Sequence, residues 1–486
     1  MATGRQRWVA AGCAAIAIGG IGAVAIAVVG VGGVALFAGS RWEEAARLWV
    51  EHRTGGEVTF DDLTVGPTGV TVSGLTIRMA PGGAEHLRID TLFLGAGPRA
   101  FAADPVRFDT VDATGVHWTV ARDAAGWPPV TGGILATGGG YDWPAVEVGS
   151  LTASQLTIDA TTPDGAASTT VATAGGTELR LSLDQGLGWS FATVSASDAH
   201  LTVDGAESLA VRSVAGDADG ALLVDGLVWT TAVRPDHTLN LPPVVADLAP
   251  VWVGGHREPY PADAPWLGVT FEGWPWRPRS VAWTDATVHL TDGVFARPAV
   301  DWTVTASTAS LGPATDAAAP IAATLGLAGG TVAVTGQVAV NGAIGLEARF
   351  TGGQARAFEP YVRATLRELS LELDRGDTSA DLRADLRGSK LALRGTVSTA
   401  NLRFSGAKED DGGSQILGLA SRIATANRDE LSTVPVSSAG DLRSASYSPV
   451  GQVLDGARRA LGGRVGATPN GVVHKVKGVF DKVFGD

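Results

Sequence analysis

From Glu57 onward apolar and polar residues take turns along the chain. Val58 and Phe60, Leu63 and Val65, Val70 and Val72, and Leu75 and Ile77 each flank one polar residue, and Leu87, Ile89, Leu92 and Leu94 follow. Strict alternation over four to eight residues predicts strands with one dry and one wet face. Gly66-Pro67, Pro81-Gly82-Gly83 and Gly97-Pro98 punctuate the series as turns. The pattern runs on through 332–334, 338–340, 346–350, 366–373, 382–386 and 391–393, and in the last three stretches the polar partners are mostly charged.

A loose motif recurs within this body. It consists of an apolar pair, a small residue, a short turn and a further alternating strand. Copies stand at 111–118, 148–158, 194–201 and 281–288. Their irregular spacing excludes a fixed-period solenoid and predicts one long meander in which each strand pairs with its predecessor.

The pattern is different at both ends and at two places between them. Val9 to Ala38 is a run of 30 residues without a charge, against the ~20 apolar residues needed to cross a bilayer. Trp8 sits where an interfacial aromatic would anchor, and Ala15, Gly19, Ala23 and Ala27 form a ladder of small residues suited to helix packing. The run is longer than the ~7–15 residues of a cleaved signal core, and too little apolar sequence precedes Cys13 for a lipoprotein signal. Arginines stand on both sides of it (Arg5 and Arg7, then Arg41, Arg47 and Arg53), so charge counting leaves the orientation open.

Between Leu241 and Pro278 lie eight prolines together with Trp252, Trp266, Trp274 and Trp276. Proline donates nothing to a ladder, so this is an insertion or junction. Ser307 to Pro320 reads as a small-residue linker. Toward the C-terminus the apolar spacing becomes helical at 416–423, at Val450, Val453, Leu454, Ala457 and Leu461, and again at 472–484, where Lys475, Lys477 and Lys482 intervene.

Composition narrows the function. The 486 residues include 65 glycines and are 45% hydrophobic but only 18% charged, which suits an all-β chain with many turns. A net charge of −13 argues against nucleic acid as a partner. The single cysteine rules out a disulfide framework. The eight histidines form no H-x-x-x-H pair. His117, His200 and His289 fall at matching places in the motif, and wet-face strand positions explain them better than a shared ligand role does. Asp61-Asp62 and Glu409-Asp410-Asp411 read as solvated loops, and the glycines at 138–140 lack the Lys-Ser/Thr of a phosphate loop. Nothing marks an enzyme, and no cofactor or metal is implied.

The N-terminal helix, the Gly69–Ile77 strand pair (GVTVSGLTI), the long meander, and the closing stretch Val434–Leu442 followed by Ala445–Val450 together resemble the AsmA-like proteins. These belong to the wider group of repeating β-groove, bridge-like lipid-transfer proteins. The resemblance covers most of the chain. It implies single-pass anchoring in an inner membrane with the bulk of the chain periplasmic, membrane phospholipids and other envelope proteins as partners, and a part in phospholipid transfer or outer-membrane maintenance. It brings no catalytic residues.

The expected fold is therefore mainly β. A transmembrane helix (1–40) leads into a long, curved antiparallel meander forming an apolar groove (41–240 and 279–406), interrupted at 241–278 and closed by a region with short amphipathic helices (407–486). Residues expected to face the groove are Val58, Phe60, Val70, Val72, Leu87, Ile89, Leu366, Leu371 and Leu373. Some 25 strands at ~4.8 Å spacing would make a sheet of roughly 120 Å. The rival readings are a non-catalytic, membrane-tethered scaffold for envelope assembly and a carbohydrate-active domain using the 252–276 tryptophans with Asp263 and Glu272.

Overall fold

The computed structural model describes residues 57–78, 85–96, 106–121, 146–162, 165–182, 188–203, 205–232, 279–293, 296, 298–312, 318–339, 343–361, 372–387, 390–405, 432–441 and 452. The apolar run Val9–Ala38, the proline-rich segment 241–278, Leu366, Leu371 and most of the expected C-terminal helices lie outside them. Among the described residues no helix is long and apolar enough to cross a membrane.

Among the described residues twenty strands build one sheet. They are β1 (Glu57–Thr59), β2 (Asp62–Gly66), β3 (Gly69–Arg78), β4 (Glu85–Gly95), β5 (Val106–Ala121), β6 (Val146–Thr162), β7 (Gly165–Ser182), β8 (Gly188–Ser190), β9 (Thr193–Val203) and β10 (Ala206–Asp217). There follow β11 (Ala221–Asp225), β12 (Val228–Ala232), β13 (Ser280–Asp292), β14 (Val300–Leu311), β15 (Ala318–Leu327), β16 (Gly330–Ala339), β17 (Ile344–Gln354), β18 (Glu372–Arg387), β19 (Lys390–Ser405) and β20 (Ser432–Asp441).

Neighbours in sequence are neighbours in the sheet, as the alternation predicts. Three rows are shared by two collinear strands, since β1 and β2 both pair with β3, β8 and β9 with β7, and β11 and β12 with β10. The described rows therefore number 17 and span about 77 Å at ~4.8 Å per row, shorter than the sheet expected from sequence.

The meander is not purely antiparallel. β5 pairs parallel with β6, and β11 and β12 pair parallel with β13. A parallel neighbour requires the chain to travel back to its starting end, which takes a dozen or more residues. The stretches 122–145 and 233–278 occupy those two joins. The Pro/Trp segment is thus a crossover connection, and the sheet runs on unbroken across it. The expected linker at Ser307–Pro320 is also corrected. Ser307–Leu311 completes β14 and Ala318–Pro320 opens β15, because small residues with threonine serve in a strand when ladder partners are present on both sides.

The recurring motif proves to be an unpaired step inside one continuous strand rather than a turn between two. In β3 the ladder to β4 jumps from Ser73–Thr91 to Leu75–Ile89 and passes over Gly74 and Asp90. The next ladder passes over Asp90 and Gly115, and those further along pass over Gln155 with Ala172, Ala172 with Asp198, Asp198 with Arg212, and Asp285 with Ser307. Gly74, Gly115, Gln155, Asp198 and Asp285 all have φ between 48° and 66°. One residue on each strand is passed over and the alternation changes phase there, so Val70 and Val72 before the step and Leu75 and Ile77 after it bury on the same face. Aligned from β3 to β14, these steps form a crease across the sheet, and a single sheet then supplies both walls of its own core.

That core is dry. Val72, Leu75, Ile89, Leu92, Leu94, Val111, Ala153 and Val224 are 0% exposed, within one cluster that runs from Val58 to Ala286.

Gly115 shows what the crease demands. Its φ is +66°, and a Cβ there would run into the Asp90 carboxylate. Gly115→Ala is expected to cost about 1–3 kcal/mol in a denaturation experiment. Adding Asp90→Gly should return only part of the loss, because the left-handed backbone remains.

His86 gives the closed part a pH dependence. It is buried in β4, and its Nε2 accepts the Trp118 indole N–H at 3.2 Å. Burial lowers its pKa, against a backbone hydrogen bond at Thr119 that raises it. The folded ring is thus neutral where the unfolded one begins to charge, near pH ~6.5. Its stabilising contribution is complete above that value and is lost as pH falls through it toward the lower folded pKa. Melting temperature should drop between about pH 7.5 and 5.5, and His86→Phe should flatten that drop. An unchanged slope in the variant would assign the effect elsewhere.

Candidate functional site

The crease ends at β14, and there the dry face opens. The ladders β15–β16 and β16–β17 run residue by residue with no position passed over. These strands keep one phase of alternation throughout, and their apolar side chains remain partly exposed. Register places them in four transverse stripes. Leu325, Val332, Phe350, Ala380 and Val397 stand side by side, as do Ala323, Val334, Ala348, Leu382 and Gly395. Next come Ile321, Gly336, Leu346, Ala384 and Leu393, then Ala319, Val338, Ile344, Leu386 and Leu391. Except for the buried Ala319 and Val338, all of these are intermediate in exposure.

The opposite face is wet and charged. Arg349 Nε donates to Asp381 at 2.7 Å, and Arg383 lies 3.4 Å from Glu347. Arg394 lies 3.9 Å from Asp385. Such exposed pairs add little stability, but they fix which face meets water.

One end of the trough has an aromatic wall. After β17 the chain makes a 3-10 turn at Ala355–Phe358 and continues to Tyr361. This segment reaches back to β14, three rows away. Tyr361 stacks on Trp302 with centroids 6.2 Å apart, and Phe358 lies 5.3 Å from the same indole and edge-on to Phe350. The Trp302 indole N–H donates to the Tyr361 oxygen at 2.7 Å, and the Tyr361 hydroxyl donates to buried Asp292 at 2.8 Å. Burial, opposed by the Trp302 N–H and reinforced by the Asp292 carboxylate, pushes the Tyr361 pKa up to about 12, so it remains a donor at any physiological pH. Between the wall and the far stripe the face extends six residues along a strand, about 20 Å.

The residues expected to face a groove divide accordingly. Val58, Val70, Val72, Leu87 and Ile89 share one face, as expected, but sit in the closed core at 0–6% exposure, with Phe60 packed partly buried against it. Leu373 is buried at the start of β18. The sequence reading placed strands at 332–334, 338–340 and 346–350 but named no groove residue in β15 to β17, whose face is the open one. The signal was present, since 319–325, 332–338 and 344–350 alternate without the motif's phase shift.

The three motif histidines point to the wet side. His117 pairs with Asp159 at 2.7 Å, His289 lies 3.4 Å from the Thr303 hydroxyl, and His200 is exposed. Among the described residues no three His, Cys, Asp or Glu side chains are grouped to hold a metal. Of the expected acidic loop at Asp61-Asp62, Asp61 forms the bend between β1 and β2 and its carboxylate stands over Gly74, while Asp62 enters β2. Trp252 to Trp276, Asp263, Glu272 and 409–411 lie outside the described residues. No protein-family model and no curated protein matches the chain.

Proposed function

We propose that the chain is a membrane-anchored, AsmA-like envelope protein whose open trough on β15–β19 binds lipid acyl chains, and that it assists phospholipid transfer or outer-membrane maintenance without catalysis. One observation carries this reading, namely a continuous, partly exposed apolar face with a charged face behind it. Water against such a face is unfavourable, and an acyl chain laid along the strands gains ~0.8 kcal/mol per buried methylene. A dozen half-covered methylenes contribute about 5 kcal/mol on that scale. The trough's ~20 Å exceeds one leaflet's share of a ~30 Å hydrocarbon core, so one chain fits lengthwise with its headgroup in water. Val9–Ala38 supplies the anchor.

The closed half supports a narrower role than a lipid conduit along the whole sheet. A core at 0–7% exposure offers an acyl chain no room, so β1 to β13 act as the scaffold that carries the trough. Photo-crosslinking residues at Val334, Leu346 and Leu382, compared with Val72, test the assignment in cells. Lipid adducts are expected at the first three and none at Val72. Protein adducts alone at all three trough positions would move the function to envelope scaffolding.

A further inference from the structure

Along its strands the trough is closed at one end and open at the other. Where β17 gives way to the 3-10 turn, the Phe350 ring folds over Gly353, so that a Cβ added there would strike it, and Phe358 meets the same ring edge-on. The turn packs against β18. On that strand Thr378, two residues from Ala380 on the same face, is 9% exposed, and Leu373 beyond it is 7% exposed. The polar atoms of the wall are engaged with one another, the Trp302 N–H with Tyr361 and the Tyr361 hydroxyl with Asp292.

The other end differs. Ala319 and Val338 are buried there, on β15 and β16, but Ile344, Leu386 and Leu391 on β17, β18 and β19 are partly exposed. The open lane therefore follows β17 and β18, from Phe350 and Ala380 beside the wall to Ile344 and Leu386 at the strand ends. It is about 20 Å long, against the ~15 Å that one acyl chain fills in half of a ~30 Å bilayer core. A chain laid along the lane reaches from one end nearly to the other.

We propose that the aromatic wall is a blind end that fixes the polarity of a bound lipid, with the terminal methyl of the acyl chain against Phe350 and Phe358 and the headgroup beyond Ile344 and Leu386. Phe358 is the positioning residue. A methyl group gives up nothing by meeting these rings. A headgroup forced under the wall would lose its hydration and find the wall's polar atoms already engaged, so the reversed pose is disfavoured by about tenfold or more. At the other end the headgroup clears the strands into water, and the lipid comes and goes there, tail first inward and headgroup first outward. This inference deepens the lipid reading of the trough and rests on it.

The test uses the full chain and two phosphatidylglycerol probes with palmitoyl-length chains. One carries a diazirine at the terminal carbon and the other carries it beside the ester carbonyl. After photolysis, adducts are mapped by mass spectrometry. The terminal probe is expected to label Phe350, Phe358 and Ala380 about tenfold more than Ile344, Leu386 and Leu391, and the ester-proximal probe should show the reverse preference. Equal labelling of both ends by both probes, or the opposite preference, would overturn the polarity while leaving lipid in the trough. No adduct from either probe within 318–405 would sink the lipid reading and the inference together. Phe358→Ala isolates the ring, because Tyr361 still ties the segment to Trp302 and Asp292. In this variant the terminal probe should reach Thr378 and Leu373, with ester-proximal labelling of Leu386 unchanged. Terminal labelling that stops at Ala380 as before would reject Phe358 as the stop.

Discussion

Leu92→Ala is expected to lower the unfolding free energy by about 2–5 kcal/mol, whereas Leu382→Ala should lower it by less than about 1 kcal/mol. The two side chains are chemically identical, and both sit on the apolar face of interior strands. Leu92 is 0% exposed in a core assembled from both sides of the crease, where removing three carbons leaves a cavity that the ladders above and below cannot collapse. Leu382 is partly exposed, so the truncation leaves water where water already had access. Denaturant midpoints of the two variants in one background decide the matter. Equal losses would mean that the second half is as tightly packed as the first, and the trough would have no physical basis.

Leu346→Asp should reduce lipid capture at Val334 and Leu382 by tenfold or more while leaving the melting temperature within a few degrees. In the empty trough the new carboxylate stands at a partly exposed position and keeps its hydration. With an acyl chain against it, that hydration is lost, and an unpaired charge facing hydrocarbon costs several kcal/mol. A loss of 1.4 kcal/mol already amounts to a factor of ten in binding. Leu346 is suited to the test because its side chain lies over Gly336, whose missing Cβ leaves room in the neighbouring row. Glu347→Ala, on the wet face of the same strand, is the matched control. It removes only an exposed partner of Arg383 and should leave capture unchanged. Undiminished capture in Leu346→Asp would place the lipid elsewhere.

Period-two alternation was enough to call the strands, and the order of those strands in the sheet follows from it, because short turns leave each strand nowhere else to pair. The recurring motif was also visible in the sequence. Its meaning was not, because Ser-Gly, Ser-Gln and Ser-Asp before an apolar residue serve equally well in a turn and at an unpaired step within a strand, and only the partners on both sides decide between the two. The proline-rich interruption could be located, but not its role as a parallel crossover.

The groove list shows the limit most clearly. Alternation marks Val72 and Val334 identically, as inward residues of amphipathic strands, and the sequence by itself went no further than the strands and their dry faces. The tertiary structure decided which dry face is sealed and which is left open. Sealing depends on whether the unpaired steps of successive strands fall on one line, and that is a property of register between strands far apart in the chain. From Gly74 to Asp285 they do, and the face closes into a core. From β15 to β17 they are absent, and the same kind of face stays available to a ligand.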